Sequence, residues 1–573
     1  MVQNGAMLKN MLNPTPARIA GGLMSVLLTS SGSEAQPAAA APKTAVSAQM
    51  LGAVDRIFER WQSSKLPGCT VGVASEGRSV LTRAYGMADL EHGIANQPDS
   101  IIEAGSVSKQ ITAAAVLLLA QQGKVDLDDP ARKHIPELPD YGPPLTVRHM
   151  LTHTSGLRDW GSVQSIAGWP RTTRAYTHAH VLDTVSRQRS LNFVPGTAYS
   201  YSNTGYNLAA ILVSRVSGQS FAEFTRVRIF EPLGMTRTSW RDDFTRVVPG
   251  RSIAYSVADT GVTMDMPFEN VHGNGALLTT VADLLRWNEN ATSLKVGGKA
   301  LVDQQQETAR LNSGEKIDYA YGLRVGSWRG IPEVSHGGAT AGYRAWLARY
   351  PTRKQVSVAV LCNAANAPAP ALGRQVADLF LAVVAGAPAS SAPVKLDSGT
   401  LQEIAGLYRE RRRNHVVTIE LQGQELRMGG QEALIPVSRN EFRLGASTRI
   451  EVDRNPAGAV QGLRLLEGGE GIGFERVEPV RPTAAALEAY AGEYKSDEAE
   501  VTVRLAVEDG QLVVHQRPDR KVKLTPTFTD GFQGAIGGVR FFRGPGGVVS
   551  EMSLSQDRVW DLRFERLPDL IRR

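Results

Sequence analysis

The feature that most constrains the fold of this chain is an internal repeat in its C-terminal part. The segment LQEIAGLY at 401–408 returns as LEAYAGEY at 487–494. Short alternating strands and Gly-rich turns surround both copies, which is typical of small antiparallel β-barrels or sandwiches. The repeat therefore predicts two copies of one β-domain of about 85 residues. Two shorter pairs follow in the same order: GQ at 423–424 and 510–511, and FER at 474–476 and 564–566.

A different pattern precedes the repeat, because strands and helices alternate before it. Two β-rich runs lie within 69–85, the apolar run 106–122 predicts a long helix ended by Gly123, and 356–362 predicts a buried strand. A Pro- and Ala-rich stretch without periodicity then separates the two regions. We expect an α/β domain at 46–385, a linker at 386–396, and two β-barrel domains at 397–480 and 481–573.

The N-terminal segment has the pattern of a bacterial-type signal peptide. Two basic residues precede the short apolar stretch 19–29, and Ser33 and Ala35 are small residues that suit a cleavage site. We expect a signal peptide at 1–35, a flexible lead-in at 36–45, and a periplasmic or secreted protein. The alternative is a disordered tail rich in alanine and proline.

Composition excludes several classes of function. The chain has 63 Lys and Arg against 57 Asp and Glu, a net charge of +6 that gives no case for a nucleic-acid partner. No uninterrupted apolar stretch reaches the ~18 residues that a membrane span needs. Two cysteines cannot form a disulfide framework or a four-ligand zinc site. We expect no nucleic acid, no integral membrane span and no cofactor, and the oligomeric state stays open.

The sharpest local signal is Gly105-Ser106-Val107-Ser108-Lys109, which opens the apolar helix. Residues three apart on a helix share one face, so Ser106 and Lys109 should be neighbours. A serine hydroxyl needs a base to act as a nucleophile, and a lysine can serve when burial or nearby cations lower its pKa. The helix N-terminus adds N–H groups that can hold an oxyanion. The alternative, an N-cap serine beside a surface lysine, is disfavoured by the apolar continuation of the helix.

A second motif, Tyr201-Ser202-Asn203, precedes another predicted helix. Tyr201 could relay a proton between Ser106, Lys109 and a leaving group. Asn203 could donate to a substrate carbonyl and orient the lysine. Tyr199 is a competing candidate, and a packed tyrosine is the alternative for either position.

A third motif, Ser335-His336-Gly337-Gly338-Ala339, follows a strand-like stretch. The glycines allow the backbone to approach a substrate closely, and the N–H of Ala339 could form an oxyanion hole with that of Ser106. His336 would contribute a hydrogen bond, or a charge when protonated. The alternative is a glycine loop beside a core histidine.

In this order and spacing, the three motifs resemble those of the serine β-lactamase and penicillin-binding protein superfamily. The third motif resembles the peptidase and esterase branch that carries H-x-G there. The resemblance covers about 50–385. Further stretches that resemble the superfamily are LDDP at 127–130, LTVRHMLTHTSGL at 145–157 and GALLTTVADLLRW at 275–287.

The resemblance implies both a fold and residue roles. The fold it implies is an α/β domain, an antiparallel sheet flanked by helices, beside an all-helical subdomain, with the site in the cleft between them. By the same resemblance, the catalytic residues are Ser106, Lys109 and Tyr201, and the substrate-binding residues are Asn203, His336, Gly338 and Ala339.

Two β-domains after such a domain resemble the three-domain arrangement of bacterial D-aminopeptidases, in which a barrel loop reaches the active site. By analogy the Gly-rich turn 530–538 is the candidate for that loop, with an ordinary hairpin tip as the alternative. We expect an exported serine hydrolase that forms an acyl-enzyme with a small peptide or ester. It would be a D-aminopeptidase-like or other small-peptide hydrolase, including one for linearised cyclic peptides such as microcystin. The alternatives are an esterase, a DD-carboxypeptidase or β-lactamase of the same fold, or a non-catalytic cell-wall or ligand-binding protein.

Glu103 departs from the pattern of the resembled families, which commonly have an apolar or small residue before the serine. This carboxylate puts the local pKa values in question. No glutamate for deacylation can be assigned either, so we do not expect efficient penicillin hydrolysis.

Two histidine pairs, His149 with His153 and His178 with His180, invite a metal site. No carboxylate is placed as in H-E-x-x-H, so we expect no metal.

The two cysteines, Cys69 and Cys362, fall on strands that are antiparallel neighbours in the resembled fold. We expect two buried free thiols, with a disulfide as the alternative.

Overall fold

A computed structural model describes residues 46–171, 173–381, 394–445, 448–467 and 470–568. The expected signal peptide and lead-in, and most of the expected linker, lie outside the described residues. None of the described helices is long and apolar enough to cross a membrane.

A six-stranded antiparallel sheet is the centre of the first region. The strands of this region are β1 (Cys69–Ser75), β2 (Arg78–Tyr85), β3 (Met87–Asp89), β4 (Ile94–Ala95), β5 (Ile102–Glu103), β6 (Ser239–Trp240), β7 (Tyr255–Ala258), β8 (Gly261–Met264), β9 (Leu277–Thr279), β10 (Arg324–Trp328), β11 (Ile331–Thr340), β12 (Tyr343–Tyr350) and β13 (Val356–Cys362). The sheet order is β10-β11-β12-β13-β1-β2. β1 and β13 are buried almost throughout, which explains their continuous apolar sequences.

Cys69 and Cys362 lie opposite each other across β1 and β13 and form a disulfide. The expectation of two free thiols is therefore wrong. The antiparallel register places the two side chains directly opposite each other, and both residues are fully buried. The bond joins two neighbouring strands that are 293 residues apart in the sequence.

Helices cover the sheet and form an all-helical part between β5 and β6. They are α1 (Ala48–Ile57), α2 (Lys109–Gln121), α3 (Val147–Leu151), α4 (Trp160–Ile166), α5 (His178–Ser186), α6 (Asn203–Ser217), α7 (Phe221–Thr225), α8 (Glu231–Leu233), α9 (Val281–Ser293), α10 (Gly298–Gln305) and α11 (Ala369–Phe380), with 3-10 turns Glu59–Trp61, Gly105–Ser108 and Ala131–Lys133 and the π-turn Arg226–Phe230. α2 is buried almost along its whole length and packs on α6. The predicted helix 106–122 thus begins with a 3-10 turn, and Gly123 follows it in the left-handed conformation expected there.

Two closed antiparallel barrels follow, which confirms the predicted fold class. The first is formed by β14 (Gly406–Glu410), β15 (Val416–Gln422), β16 (Glu425–Met428), β17 (Glu432–Ser438), β18 (Glu441–Leu444), β19 (Thr448–Arg454), β20 (Val460–Glu467) and β21 (Glu470–Val477), after α12 (Ser398–Ile404). The second is formed by β22 (Gly492–Ser496), β23 (Val501–Glu508), β24 (Gln511–Gln516), β25 (Arg520–Pro526), β26 (Gly531–Gly534), β27 (Gly537–Arg543), β28 (Val549–Gln556) and β29 (Val559–Arg566), after α13 (Ala484–Leu487) and the 3-10 turn Glu488–Tyr490; a further 3-10 turn is Pro545–Gly547.

The repeated residues make the same contacts in both barrels. Tyr408 donates its hydroxyl to the carbonyl of Ile404 (2.6 Å), and Tyr494 donates to that of Tyr490 (2.9 Å). The arginine of each FER motif closes the barrel onto the segment before its first strand. These bonds run from Arg476 to the carbonyls of Glu403 and Ala405, and from Arg566 to those of Ala489 and Ala491.

The two barrels differ in how they meet the first region. The apolar core of the second barrel is continuous with Val163 and Ile166 of α4. The first barrel's core, as far as its residues are described, holds only residues of its own part of the chain. The second barrel therefore packs directly on the helical part of the first region.

Candidate active site

Ser106 and Lys109 are neighbours at the start of α2, as their spacing predicts. The Lys109 Nζ lies 3.0 Å from the Ser106 Oγ. It also lies 2.9 Å from the Oδ1 of Asn203 and 2.6 Å from the backbone oxygen of Asn274. The two carbonyl oxygens fix the amine beside the serine hydroxyl.

The surroundings of Lys109 favour its neutral form. The residue is fully buried. Burial holds the pKa of Lys109 well below its usual range, the positive charge of Arg558 lowers this pKa further, and Asp159 opposes the shift only in part. A neutral amine at this position can accept the proton of the Ser106 hydroxyl.

Tyr201 is the tyrosine that contacts both residues. Burial raises the pKa of Tyr201 to about 12, although a hydrogen bond with the Ser106 side chain opposes the rise. Its ring centroid lies 4.8 Å from the Lys109 Nζ and 4.8 Å from the guanidinium carbon of Arg558. Tyr199 lines the same cleft, but its hydroxyl has no hydrogen-bond partner among the described residues.

Asn203 is held at the start of α6 by a residue that sequence reasoning missed. Its backbone N–H donates to the Oδ2 of Asp159 (2.8 Å), while its side-chain Oδ1 accepts from Lys109. Asp159 also caps α4, because its Oδ1 accepts from the N–H of Ser162 (3.1 Å). An acidic residue before a helix is a capping signal, but nothing in the sequence links that cap to Asn203.

His336 is neutral and fixed at both ring nitrogens. The Nδ1 lies 2.6 Å from the carbonyl oxygen of Gly337 and the Nε2 lies 2.9 Å from the Tyr319 hydroxyl. Burial, and secondly the charge of Lys109, lower the pKa of His336 to about 3. These contacts and the low pKa favour a neutral ring over a charged one, and the hydrogen bonds that the described residues show for it are to Tyr319 and Gly337. Tyr319, which is fully buried, is a second site residue that sequence reasoning missed.

The glycines bring β11 against the Ser106 turn. A Cβ atom on Gly105, whose φ is +49°, would lie 2.7 Å from the backbone nitrogen of Ala339. A Cβ atom on Gly338 would lie 2.0 Å from the carbonyl oxygen of Ala104. Both positions therefore require glycine, and their close approach places Ala339 beside the turn that holds Ser106.

Glu103 stabilises the loop next to Lys109. It is fully buried, accepts from the Nε of Arg241 (2.9 Å) and accepts from the N–H of Ala276 (3.0 Å). Burial alone would raise the pKa of Glu103, but Arg241 and two further arginines outweigh it and hold this pKa below its usual value. The carboxylate thus fixes the loop whose Asn274 carbonyl accepts from Lys109.

The histidine pairs have structural partners. His149 accepts from the N–H of Thr146 at the start of α3, and His153 accepts from the N–H of Ser202. His178 lies against the carbonyl of His272 (3.0 Å), and His180 accepts from the N–H of Thr177 (3.2 Å). These contacts account for the histidines as helix caps and packing groups.

A cleft of about 620 Å³ opens above Ser106. Among the described residues that line it, four are arginines and none is an aspartate or glutamate. Three come from the first region: Arg171, Arg324 and Arg344. The fourth, Arg558, lies on the turn between β28 and β29 of the second barrel.

The predicted loop at 530–538 does not line this cleft, so that candidate is wrong. The start of β27 packs on the first barrel instead, because Gly538 lies against the backbone of Arg413 and Asn414. The next hairpin, β28 to β29, has Asp557 and Arg558 at its tip, and Arg558 lines the cleft above Ser106.

The site has a serine and a buried lysine one turn apart, surrounded by a tyrosine, an asparagine and a strand edge that carries glycines. This arrangement is typical of one class of serine hydrolases, the β-lactamases and penicillin-binding proteins. The Beta-lactamase family matches residues 54–381, more than half of the chain. The chain belongs to that family, as the motifs predict.

Relatives extend the similarity beyond the matched family region. The chain is 30% identical over 298 residues to penicillin-binding protein 4* of Bacillus subtilis (strain 168), covering 48% of this chain and 64% of that protein. It is 26% identical over 511 residues to the D-aminopeptidase of Gluconobacter oxydans (strain 621H), covering 84% of this chain and 91% of that protein. The solved structure of the octameric penicillin-binding protein homologue from Pyrococcus abyssi shares the fold, with a TM-score of 0.52, 19% identity, and coverage of 82% of this chain and 99% of that one.

Proposed function

We propose that this protein is a serine hydrolase that acts through an acyl-enzyme on Ser106. The observation that carries the proposal is the placement of a fully buried lysine amine 3.0 Å from the serine oxygen. A charged ammonium could not accept a proton, and burial together with the charge of Arg558 lowers the pKa of Lys109 well below its usual range, which is the direction that favours the free amine.

The proton passes from Ser106 to Lys109 as the serine oxygen attacks the substrate carbonyl. Tyr201 keeps its own proton at neutral pH, because burial raises its pKa to about 12. It therefore acts as a donor to the departing amine or alkoxide and is reprotonated from Lys109. Water then attacks the acyl group, releases the acid and restores the serine.

The backbone N–H groups of Ser106 and Ala339 hold the oxyanion of the tetrahedral intermediate. The close approach of Gly105 to Ala339 supports this pairing. Asn203 orients Lys109 through its Oδ1, and its amide nitrogen faces the substrate carbonyl. His336 and Gly338 fix the strand edge along which the substrate lies.

The substrate we propose is a small peptide or amide, as for a D-aminopeptidase. The similarity to the Gluconobacter oxydans D-aminopeptidase supports this, because it spans 84% of the chain and so includes barrel sequence. Linearised cyclic peptides such as microcystin fall within this class. Esters, a DD-carboxypeptidase substrate and β-lactams offer the same acyl carbon, and the test below compares an ester and a β-lactam with the anilides.

We also propose that the enzyme is exported. Disulfides persist in oxidising compartments such as the periplasm, and Cys69 is bonded to Cys362. Thiol titration of the denatured, unreduced protein should find no free thiol. Two free thiols would contradict both the bond and its use as support for export.

The test compares hydrolysis of D-alanine and L-alanine p-nitroanilides, phenyl acetate and benzylpenicillin by the wild-type enzyme and by Ser106→Ala. We expect the wild type to cleave the D-anilide fastest, and Ser106→Ala to lose a factor of roughly 10⁴ or more. Lys109→Ala should lose roughly 10²–10⁴ if it is the general base. Circular dichroism checks that both variants fold.

Other outcomes point elsewhere. Full activity of Ser106→Ala would contradict the mechanism. Preference for phenyl acetate would favour an esterase. Rapid hydrolysis of benzylpenicillin would favour a β-lactamase. No cleavage of any substrate would favour the non-catalytic binding protein.

A further inference from the structure

The cleft is cationic, but its four arginines are not equivalent. Arg171 donates to Glu269 (2.9 Å from its Nε), and Arg324 donates to both oxygens of Asp318 (2.8 Å each). These two positive charges are matched by neighbouring carboxylates. They leave little attraction for a further anion.

Arg344 is held by the backbone. Its Nη1 donates to the carbonyl oxygens of Ala341 and Tyr343, both at 2.7 Å. These bonds fold the side chain back onto its own turn.

Arg558 differs from the other three. Among the described residues, no acceptor lies within hydrogen-bond distance of its guanidinium; the nearest carboxylate, that of Asp159, is 4.0 Å away. Asp159 already accepts from the N–H groups of Asn203 and Ser162. The Arg558 side chain is 41% exposed, so its donors face open space in the cleft.

The backbone of Arg558 is fixed even though its side chain has no acceptor. Its carbonyl accepts from the N–H of Asp159 (3.1 Å) and from the Nδ2 of Asn192 (3.2 Å). The next residue but one, Trp560, donates its N–H to Asn192 (2.8 Å). A cation on a fixed backbone is preorganised for a ligand, because little order must be added on binding.

The position of Arg558 identifies which part of a substrate it meets. Its guanidinium lies over the ring of Tyr201, the residue that protonates the leaving group in the proposed mechanism. Next to these two residues lies a groove of about 190 Å³ that also includes Glu410 of the first barrel and Asp557. Arg413 forms ion pairs with both of these carboxylates, so their charge is partly matched within the groove. A leaving group that passes over Tyr201 therefore meets the guanidinium of Arg558.

We propose that Arg558 binds a carboxylate in the leaving-group part of the substrate. The enzyme thus prefers peptides with a free C-terminal carboxylate, or an acidic residue, after the cleaved bond over neutral amides and over cationic leaving groups. This inference rests on the proposed function, because it assigns a substrate class to the same site. Arginine suits a carboxylate because its planar fork can form two parallel hydrogen bonds.

The test uses three aryl acetates with one acyl group and different leaving groups: 4-acetoxybenzoate, its neutral methyl ester, and the 4-acetoxy-N,N,N-trimethylanilinium cation. We expect the ratio of kcat/KM for the anionic ester to that for the neutral ester to fall about tenfold to a hundredfold in Arg558→Gln. Arg558→Lys should keep part of the preference, since it retains the charge. Added salt should weaken the wild-type preference.

Arg520→Gln is the matched control, because Arg520 is an exposed arginine of the same barrel that does not line the cleft. Using the ratio cancels any effect of a substitution on the reaction in general. An unchanged ratio in folded Arg558→Gln would overturn the inference while leaving the proposed function intact. If the wild type cleaves none of the three esters in a Ser106-dependent way, the proposed function fails and the inference with it.

Discussion

The two barrels are copies of one unit, and yet, among the residues that the structure describes, only the second lines the cleft above Ser106. Tyr408 and Tyr494 make the same hydroxyl-to-carbonyl bond, and Arg476 and Arg566 close each barrel in the same way. The residues that build the barrel are therefore present in both copies of the repeat. The residue that lines the cleft, Arg558, belongs to the second copy.

Residues outside the framework make the difference. Arg158, buried in the first region, donates to Glu498 of the second barrel (2.6 Å) and to the backbone carbonyl of Trp560. The first barrel meets the second instead, as when the N–H of Val416 donates to Gln533 (2.9 Å). A repeated motif thus identifies a fold, while the residues between the motifs determine where each copy docks.

The largest expected effect breaks the docking of the second barrel. Arg158→Met removes the cationic partner of the buried Glu498 and leaves it only the N–H of Arg189 among the described residues, so we expect a loss of about 3–5 kcal/mol in the free energy of unfolding. Because the hairpin that bears Arg558 loses an anchor, kcat/KM should also fall, by roughly tenfold or more. Denaturant unfolding and the ester assay measure the two effects.

Its counterpart is Arg413→Met in the first barrel. Arg413 pairs with Asp557, which is 94% exposed, and with Glu410 of its own turn. Glu410 is itself buried, so Arg413→Met should also lower the free energy of unfolding. Its kcat/KM should fall less than that of Arg158→Met, because Arg413 does not line the cleft above Ser106. An equal fall in kcat/KM for the two substitutions would contradict the view that the second barrel, and not the first, is tied to the cleft.

A smaller effect comes from the shared framework. Arg476→Met removes hydrogen bonds to two backbone carbonyls and Arg566→Met removes bonds to three, and each should lower the free energy of unfolding by about 1 kcal/mol or more. Activity should separate them, because only Arg566 belongs to the barrel that carries Arg558. If Arg476→Met lowered kcat/KM as much as Arg566→Met, the two barrels would be functionally equivalent.

The smallest expected effect is a shift of the pH profile. The positive charge of Arg558 helps to lower the pKa of Lys109, so Arg558→Gln should raise that pKa. Activity requires the neutral amine, so the acidic limb of kcat/KM for the neutral ester should move to higher pH. Arg413→Gln should leave the limb in place, and a limb that moves to lower pH in Arg558→Gln would contradict the sign.

The sequence predicted the centre of the site because its residues fall in short local motifs. Ser106 and Lys109 are one turn apart, and Tyr201 and Asn203 flank a helix start. The predicted fold class was also correct, because hydrophobic periodicity indicated the α/β region and the internal repeat indicated the two barrels. Local patterns of this kind are what a single sequence records best.

The missed residues share a different property, namely that their roles depend on distant segments. Asp159 acts on Asn203 through a backbone N–H, Tyr319 acts on His336, and Arg558 arrives from another domain. No spacing rule connects such positions. The Gly-rich turn 530–538 was the wrong candidate for the same reason, since a glycine pattern predicts a hairpin but not the surface on which it docks.

The measurement that tests the central claim most directly is intact-protein mass spectrometry after reaction with a neutral alkyl fluorophosphonate, followed by peptide mapping. The account predicts one adduct per chain, located on Ser106, and no adduct in folded Ser106→Ala. Labelling of Ser106→Ala at the wild-type rate, or an adduct on another residue, would contradict it.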